Sequence, residues 1–421
     1  MKTKLLFITM LFTFSTSIVN GQIFEVKPTG TTHLLYDLSI PPGQNLVAYA
    51  AGSQYTVGGY GGVIIKSIDG GETWETVYSH EVNAFLQVEF VSETRGFALG
   101  FAGIMLKTID GGATWDSITL PVESGYPIYE LTVLDFVDVN NGFIAGITED
   151  PSVNSRIGFT TSDSGETWVP VLSTSGMAHF CGDFAAPNII YTAGKDHEWS
   201  KSIDNGGSWT QIDWDGGPSG QYYFAMKFKD QDNGIISTED GELRITHDGG
   251  GTFNTVLDTG YQNFYALSYN GDVLYAGGTD LDIYRSMDNG FTWTLLFDGA
   301  PVSTLYTIEF FDNGDALTCG SGGTILKATA NDLLGVEEFN QVNTGLSHSY
   351  NYIDKTLSIK TTNGLLLSKY SIYDTTGKLV VINQNLATNN IGIDVQTLSD
   401  GIYIVKCVVE DRIVAFKYVK H

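Results

Sequence analysis

Short stretches in which apolar and polar residues alternate recur along most of the chain, each a few residues long and each ended by Gly, Asn or Asp. One unit reads Val88-Glu-Phe90, a turn at Ser92-Glu-Thr-Arg-Gly96, then Phe97-Ala-Leu-Gly100, Gly103-Ile-Met-Leu-Lys107 and a closing Thr-Trp115. A period of two residues predicts strands, and the Gly- and Asn-containing breaks predict tight turns. The same order returns around Leu134-Asp-Phe136, Met226-Lys-Phe228 and Ile308-Glu-Phe310. Each unit therefore predicts four short strands, which cannot bury their apolar faces alone and must stack on neighbouring units.

The last turn of the unit carries its own chemistry. Ser67-Ile-Asp-Gly-Gly-Glu-Thr-Trp74 comes back with the same spacing from Thr108, Thr161, Ser202, Thr246 and Ser286. An Asp beside Gly favours a tight turn, because the carboxylate accepts nearby N–H groups and Gly takes positive φ without steric cost. The aromatic that follows starts a strand and can pack back on the sheet. This assigns a structural role to Asp69, Trp74, Asp110, Trp115, Asp163, Trp168, Asp204, Trp209, Asp248, Phe253, Asp288 and Trp293. A further unit, Gly320 to Thr329, lacks that turn and is one strand short, while Ile23-Phe-Glu-Val26 is a spare strand at the start. The expectation is an all-β, seven-bladed β-propeller closed by its N-terminal strand, followed by a small Ig-like β-sandwich.

The eight-residue turn resembles the Asp-box (BNR) repeat of sialidases, sortilin-type receptors and photosystem II assembly factors. Val88 to Trp115 is most similar to the assembly-factor wording, and the resemblance covers residues 38 to about 329. It implies a scaffold that binds proteins and does no chemistry. A sialidase would need three arginines, one of them ahead of the first box, yet the propeller holds Arg95, Arg156, Arg244 and Arg285 and none precedes Ser67. The alternative is an extracellular glycoside hydrolase of the Asp-box type, using a carboxylate pair hidden among the acidic residues.

The two ends predict an address. Lys2 and Lys4 followed by an apolar run from Leu5 to Val19 form a secretory signal peptide over residues 1–21, and no later segment is apolar enough to span a bilayer. Residues 22–334 form the propeller and 335–421 a strand-rich module. That module strongly resembles the type A sorting domain of the Bacteroidetes type IX secretion system, through Tyr373, Asp374, Gly377 and Lys378, then Gly401 and Tyr403, then Lys417 and Lys420. The resemblance implies a partner in the outer-membrane secretion machinery and delivery, through the periplasm, to the cell surface or the medium.

Composition adds charge. The net charge is −26, while residues 336–421 carry eight acidic and eight basic side chains, so the imbalance lies in the propeller and disfavours nucleic acid and anionic lipid as partners. The three cysteines and seven histidines show no metal-ligand spacing, and no cofactor or metal is assigned. Aligned on the core aromatic of the innermost strand, the preceding residue is polar in every unit: Ser39, Glu89, Asp135, Asp183, Lys227, Ser268 and Glu309. Such a ring could line the central channel and hold water or a cation such as calcium, or it could hydrogen-bond the neighbouring blades. Aromatics also gather where these strands begin, at Tyr36, Phe85, Phe180, Tyr223, Phe264 and Tyr306, as a ligand platform or as packing between blades. The longer loops, 117–129, 148–155 and 213–222, are placed on the face away from the boxes. Taken together, the expectation is an exported, non-catalytic scaffold for an unknown protein or glycan ligand.

Overall fold

The computed structural model describes residues 23–420 apart from 57–58, 123–126, 149–154, 176–178, 195–197, 214–221, 261, 300–302, 334–345, 352–354, 362–364, 375–377, 400 and 410–411. The leader expected over 1–21 and most of the 148–155 loop lie outside the described residues. Up to Leu333 the strands form seven antiparallel sheets of four, and the innermost strand of each lies against that of the next, with the first against the last. The result is a closed seven-bladed propeller.

Closure joins the two ends of the ring. Glu25–Lys27 is the fourth strand of the last blade, pairing Glu25 with Lys327, Val26 with Leu326 and Lys27 with Ile325. Phe24 is wholly buried beside Ile283, Leu305 and Leu326. Glu72, in the first blade, receives Lys27 and Lys327 at 2.8 Å each and so ties both of those strands to the blade they meet. Apolar contact continues across the seam, where Leu35, Ala50 and Ile65 of the first blade pack on Phe311, Leu317 and Ile325 of the last. Each of the Leu, Ile and Phe side chains contributes roughly 1.5–3 kcal/mol of burial.

The inner strands are not regular. All seven carry a one-residue β-bulge at the same place, where the register skips Tyr36, Leu86, Thr132, Phe180, Phe224, Tyr265 and Tyr306. A bulge adds one residue to a strand of period two and so turns the next side chain to the other face. Leu35, Phe85, Leu131, Tyr223, Phe264 and Leu305 just before it are buried, whereas the bulged residues are half-exposed. Glycine on the second strand makes room for this. A Cβ at Gly52, Gly100, Gly146, Gly278 or Gly320 would sit between 1.9 and 2.2 Å from a backbone carbonyl oxygen of the inner strand.

Past residue 345, one sheet pairs Leu346–Asn351, Thr356–Thr361 and Asn390–Asp394, and a second pairs Leu379–Thr388, Leu367–Asp374, Gly401–Val409 and Arg412–Lys420. Leu357, Ile359 and Ile393 of the first sheet share one core with Ile372, Val405 and Cys407 of the second, which makes the module a sandwich.

Two stability outcomes follow from this architecture. Deleting residues 23–29 opens the Ile325–Ala328 edge, and calorimetry should then show a markedly lower Tm or aggregation; an unchanged melting curve would refute the closure role. Gly100→Ala drives a methyl against the Ala84 carbonyl and should cost about 1–3 kcal/mol in denaturant unfolding; an unchanged unfolding midpoint would refute the close approach.

Candidate functional site

The blades enclose a central channel of about 430 Å³ whose walls include Ser39, Glu89, Asp135, Asp183, Lys227 and Glu309. Ser268 is buried at the equivalent place on its own strand. These side chains are engaged across the joints between blades. The Phe90 N–H donates to Ser39 Oγ at 2.8 Å, that of Phe136 to Glu89 Oε1 at 3.1 Å, that of Phe184 to Asp135 Oδ2 at 2.6 Å and that of Phe228 to Asp183 Oδ2 at 2.6 Å. In each case the polar residue of one blade caps the core aromatic of the next. Asp37, which alignment of the repeats passes over because it stands two residues before the ring position, also lines the channel and accepts the Val88 N–H at 2.9 Å. Among the described residues no three His, Cys, Asp or Glu converge as a metal site.

Charge in the channel is unbalanced. Lys227 Nζ donates to Asp183 Oδ1 at 2.6 Å, and the carboxylate holds the ammonium well above its ordinary pKa. The same enclosure acts on the acids. Burial pushes Asp37 up to about 8 and Glu309 up to about 7, and it raises Asp183 and Glu89 as well, the charge of Asp135 adding to burial for Glu89. Glu89 Oε2 is enclosed and has no hydrogen-bond partner among the described residues.

Alignment of the repeats misplaces three of the mouth aromatics. Phe85, Tyr223 and Phe264 are core residues with at most 2% exposure. Because of the bulges, the channel is lined instead by Phe224 and Tyr265, together with Tyr36, Phe180 and Tyr306. Their rings form an arc, Tyr36 to Tyr306 at 5.1 Å, Tyr306 to Tyr265 at 5.7 Å and Tyr265 to Phe224 at 5.0 Å, continued to Phe180 through Tyr222. Leu86 and Thr132 fill the position on the remaining two blades.

The Asp boxes are self-contained turns. In the first, Ser67 Oγ donates to Asp69 Oδ1 at 2.8 Å and receives the Gly71 N–H at 2.9 Å, while Thr73 gives Asp69 its N–H at 2.9 Å and its hydroxyl at 2.5 Å. Asp110, Asp163, Asp204, Asp248 and Asp288 repeat this geometry. The threonine hydroxyl is the main reason that Asp69, Asp110 and Asp163 are lowered to about 2. Trp74, Trp209 and Trp293 donate their indole N–H back to a glycine carbonyl of the box at 3.2, 3.1 and 3.0 Å. Trp115 and Trp168 sit edge-on to Phe90 and Phe136 instead, and Phe253 packs edge-on to Trp199.

In the C-terminal sandwich, Tyr373 lies beneath the Lys406 ammonium at 5.3 Å, and Asp374 accepts the Lys378 N–H at 3.0 Å. Gly401 opens the next strand, and the Tyr403 hydroxyl donates to the Ser399 carbonyl at 2.8 Å. Lys417 pairs with Ile404 in register, and the buried Lys420 ammonium caps the Gln396 and Leu398 carbonyls. Gly377 lies outside the described residues.

Architecture and repeat chemistry together define the class, a seven-bladed Asp-box β-propeller with a C-terminal sandwich. A family model described as photosynthesis system II assembly factor YCF48 matches residues 42–109 and 72–177, and one described as secretion system C-terminal sorting domain matches residues 352–421. The chain is thus a propeller with repeats like those of the YCF48 type that carries a type IX secretion sorting domain. Among solved structures, YCF48 from Cyanidioschyzon merolae is similar at 17% identity and a TM-score of 0.58, covering 73% of this chain and 99% of that one. YCF48 bound to D1 peptide is similar at 19% identity and 0.57, covering 73% and 97%. The WD40 β-propeller domain of Doa1 is similar at 12% and 0.54, covering 73% and 95%. No curated protein matches the chain. The sorting tail directs export to the outer surface or into the medium, and no helix among the described residues is long and apolar enough to cross a membrane.

Titration should expose both sets of carboxylates. Asp37 and Glu309 hold protons in the folded ring that the unfolded chain has released, so stability falls as pH rises from about 4 towards about 8. The boxes act in the opposite sense: their contribution is full above about pH 4 and is lost as pH falls towards about 2. A Tm-against-pH curve should therefore peak on the acid side of neutrality, and Asp37→Asn with Glu309→Gln should flatten its alkaline limb; a limb unaffected by both substitutions would refute the assignment.

Proposed function

We propose that the protein is a non-catalytic binding scaffold working outside the cell, with the ring spanning residues 22–334 and the sorting domain 335–421 read by the outer-membrane type IX machinery. The observation that carries this reading is that the groups a hydrolase would draw on are engaged in holding the ring together. Asp37, Glu89, Asp135 and Asp183 accept strand N–H groups from the next blade. The arginines are dispersed in the same way: Arg95 donates to the Ser164 carbonyl at 2.8 Å and pairs with Glu166, Arg244 pairs with Glu242, and Arg285 donates to the Leu333 carbonyl. A carboxylate clamp requires converging guanidinium groups, and a glycosidase requires two carboxyls that flank the scissile bond at a set separation rather than facing strand N–H groups of a neighbouring blade. A similar fold has been solved holding a peptide, the YCF48 bound to D1 peptide, which supports a protein ligand for this ring.

A panel of chromogenic glycosides and sialosides should give no turnover with the purified chain, while the chain should be retained on surface fractions carrying its partner. Turnover of any substrate that disappears on replacing one channel or loop carboxylate by its amide would overturn the scaffold reading in favour of an Asp-box glycoside hydrolase.

A further inference from the structure

The channel mouth has a layered chemistry, an aromatic arc above a ring of polar groups. Each bulged residue precedes its ring position by three residues but shares its face, which sets the aromatic arc about 7 Å along the axis from the polar ring, at about 3.3 Å per strand residue. A probe entering at the mouth thus meets Tyr36, Tyr306, Tyr265, Phe224 and Phe180 first and the carboxyl groups afterwards. Lys227 is the one basic residue among the described channel walls, and it is already paired with Asp183. Asp37, Glu89, Asp135 and Glu309 share the channel with no resident cation of their own, and the second oxygen of Glu89 is enclosed and unpartnered.

Several occupants fit this arrangement poorly. A metal ion needs several oxygens converging within coordination distance, and the described carboxylates do not converge. An anion meets a wall of the same sign, and a purely apolar group would strip water from the carboxylates without replacing it. A long side chain with an apolar stem and a cationic head satisfies both layers, since aromatic faces attract cations as well as burying methylenes. Two contacts in the same ring use this chemistry already, Lys66 over Tyr49 at 5.2 Å and Lys201 over Tyr191 at 4.9 Å. The Lys227–Asp183 pair shows that the channel accommodates an ammonium against its carboxylates.

We propose that the channel mouth takes the lysine or arginine side chain of an extended segment of a partner protein, the stem lying in the aromatic arc and the head reaching Glu89, Asp135 and Asp37. This rests on the scaffold reading and names its ligand class. The strongly acidic propeller supplies the long-range attraction for a basic segment.

The test is calorimetric titration of the full chain with capped peptides Gly-Ser-Lys-Ser-Gly, its arginine and norleucine counterparts, and spermidine. Lysine and arginine peptides should bind at least about tenfold more tightly than norleucine, and added salt should weaken them. Tyr265→Ser combined with Tyr306→Ser should lose about tenfold with the melting curve retained; if that pair unfolds the ring, Tyr36→Leu alone should still weaken both basic peptides. Glu89→Gln, which keeps an acceptor for the Phe136 N–H, should weaken binding and leave Tm near its starting value. Equal binding of norleucine, binding of spermidine alone, or indifference to the tyrosine substitutions overturns the proposal. None of those outcomes touches the scaffold reading, which falls only if the chain turns over a glycoside.

Discussion

The joint between consecutive blades is the interaction on which this ring depends, and at four of the joints it is concentrated on one phenylalanine of the inner strand. Phe90 gives its N–H to Ser39 of the preceding blade and stacks its ring on Tyr49 of that blade at 3.7 Å. Phe136 is held in the same way by Glu89 and Phe97, and Phe228 by Asp183 and Tyr191. A strand N–H facing a channel has no ladder partner, and leaving it enclosed without an acceptor costs about 1–3 kcal/mol. The polar ring removes that cost at the four joints where Ser39, Glu89, Asp135 and Asp183 accept it. The box glycines press on the same seam: a Cβ at Gly165 would lie 2.4 Å from Phe97, and one at Gly250 would lie 2.0 Å from Trp199.

Using carboxylates as those acceptors has an electrostatic consequence. A carboxylate makes a shorter and stronger bond to an N–H than a hydroxyl does, but a ring of them in one channel repels itself. The structure answers in two ways. Lys227 places one ammonium inside the ring against Asp183, and enclosure raises the carboxyls so that part of the charge is carried as bound protons. The Asp boxes, at the exposed ends of the hairpins, face no such conflict. Their carboxylates are satisfied within eight residues and stay ionised, so they fix turns without depending on the rest of the fold.

This difference in range explains what could be read from the chain. The repeat, the blade count and the closing strand were legible because alternation and the Asp-Gly turns are local signals repeated many times. The polar ring position was visible by alignment, but which groups its oxygens reach depends on the neighbouring blade, and Asp37 was missed because the equivalent positions are largely uncharged, as at Cys181, Ala225 and Ala266. The bulges were not read at all. A one-residue slip inside a strand leaves composition and period unchanged on either side, so alternation carried through it selects Phe85, Tyr223 and Phe264, which are buried, in place of Leu86, Phe224 and Tyr265. A signal was nonetheless present in the glycines at or near the ends of the second strands, Gly100, Gly146, Gly278 and Gly320, since a glycine inside a strand marks a bulge or a close approach of backbone.

The bulge itself is a requirement of the ring, but the side chain it presents is not. All seven blades bulge at this point, and on five of them a glycine of the second strand lets the backbones approach closely whether the displaced residue is Tyr36, Leu86, Thr132, Tyr265 or Tyr306. Thr132 and Leu86 occupy the position on two blades without altering the sheet, so the fold places no demand for an aromatic there. Five consecutive blades nevertheless present Phe180, Phe224, Tyr265, Tyr306 and Tyr36, half-exposed and in ring contact along one arc of the channel mouth. Ring contact between neighbouring blades uses part of this aromatic area, and the part that faces the channel gains further energy only when something covers it. The channel is therefore layered along its axis: the polar ring and its Phe partners hold the blades together, and the bulged layer above them is the one that the proposed ligand would cover.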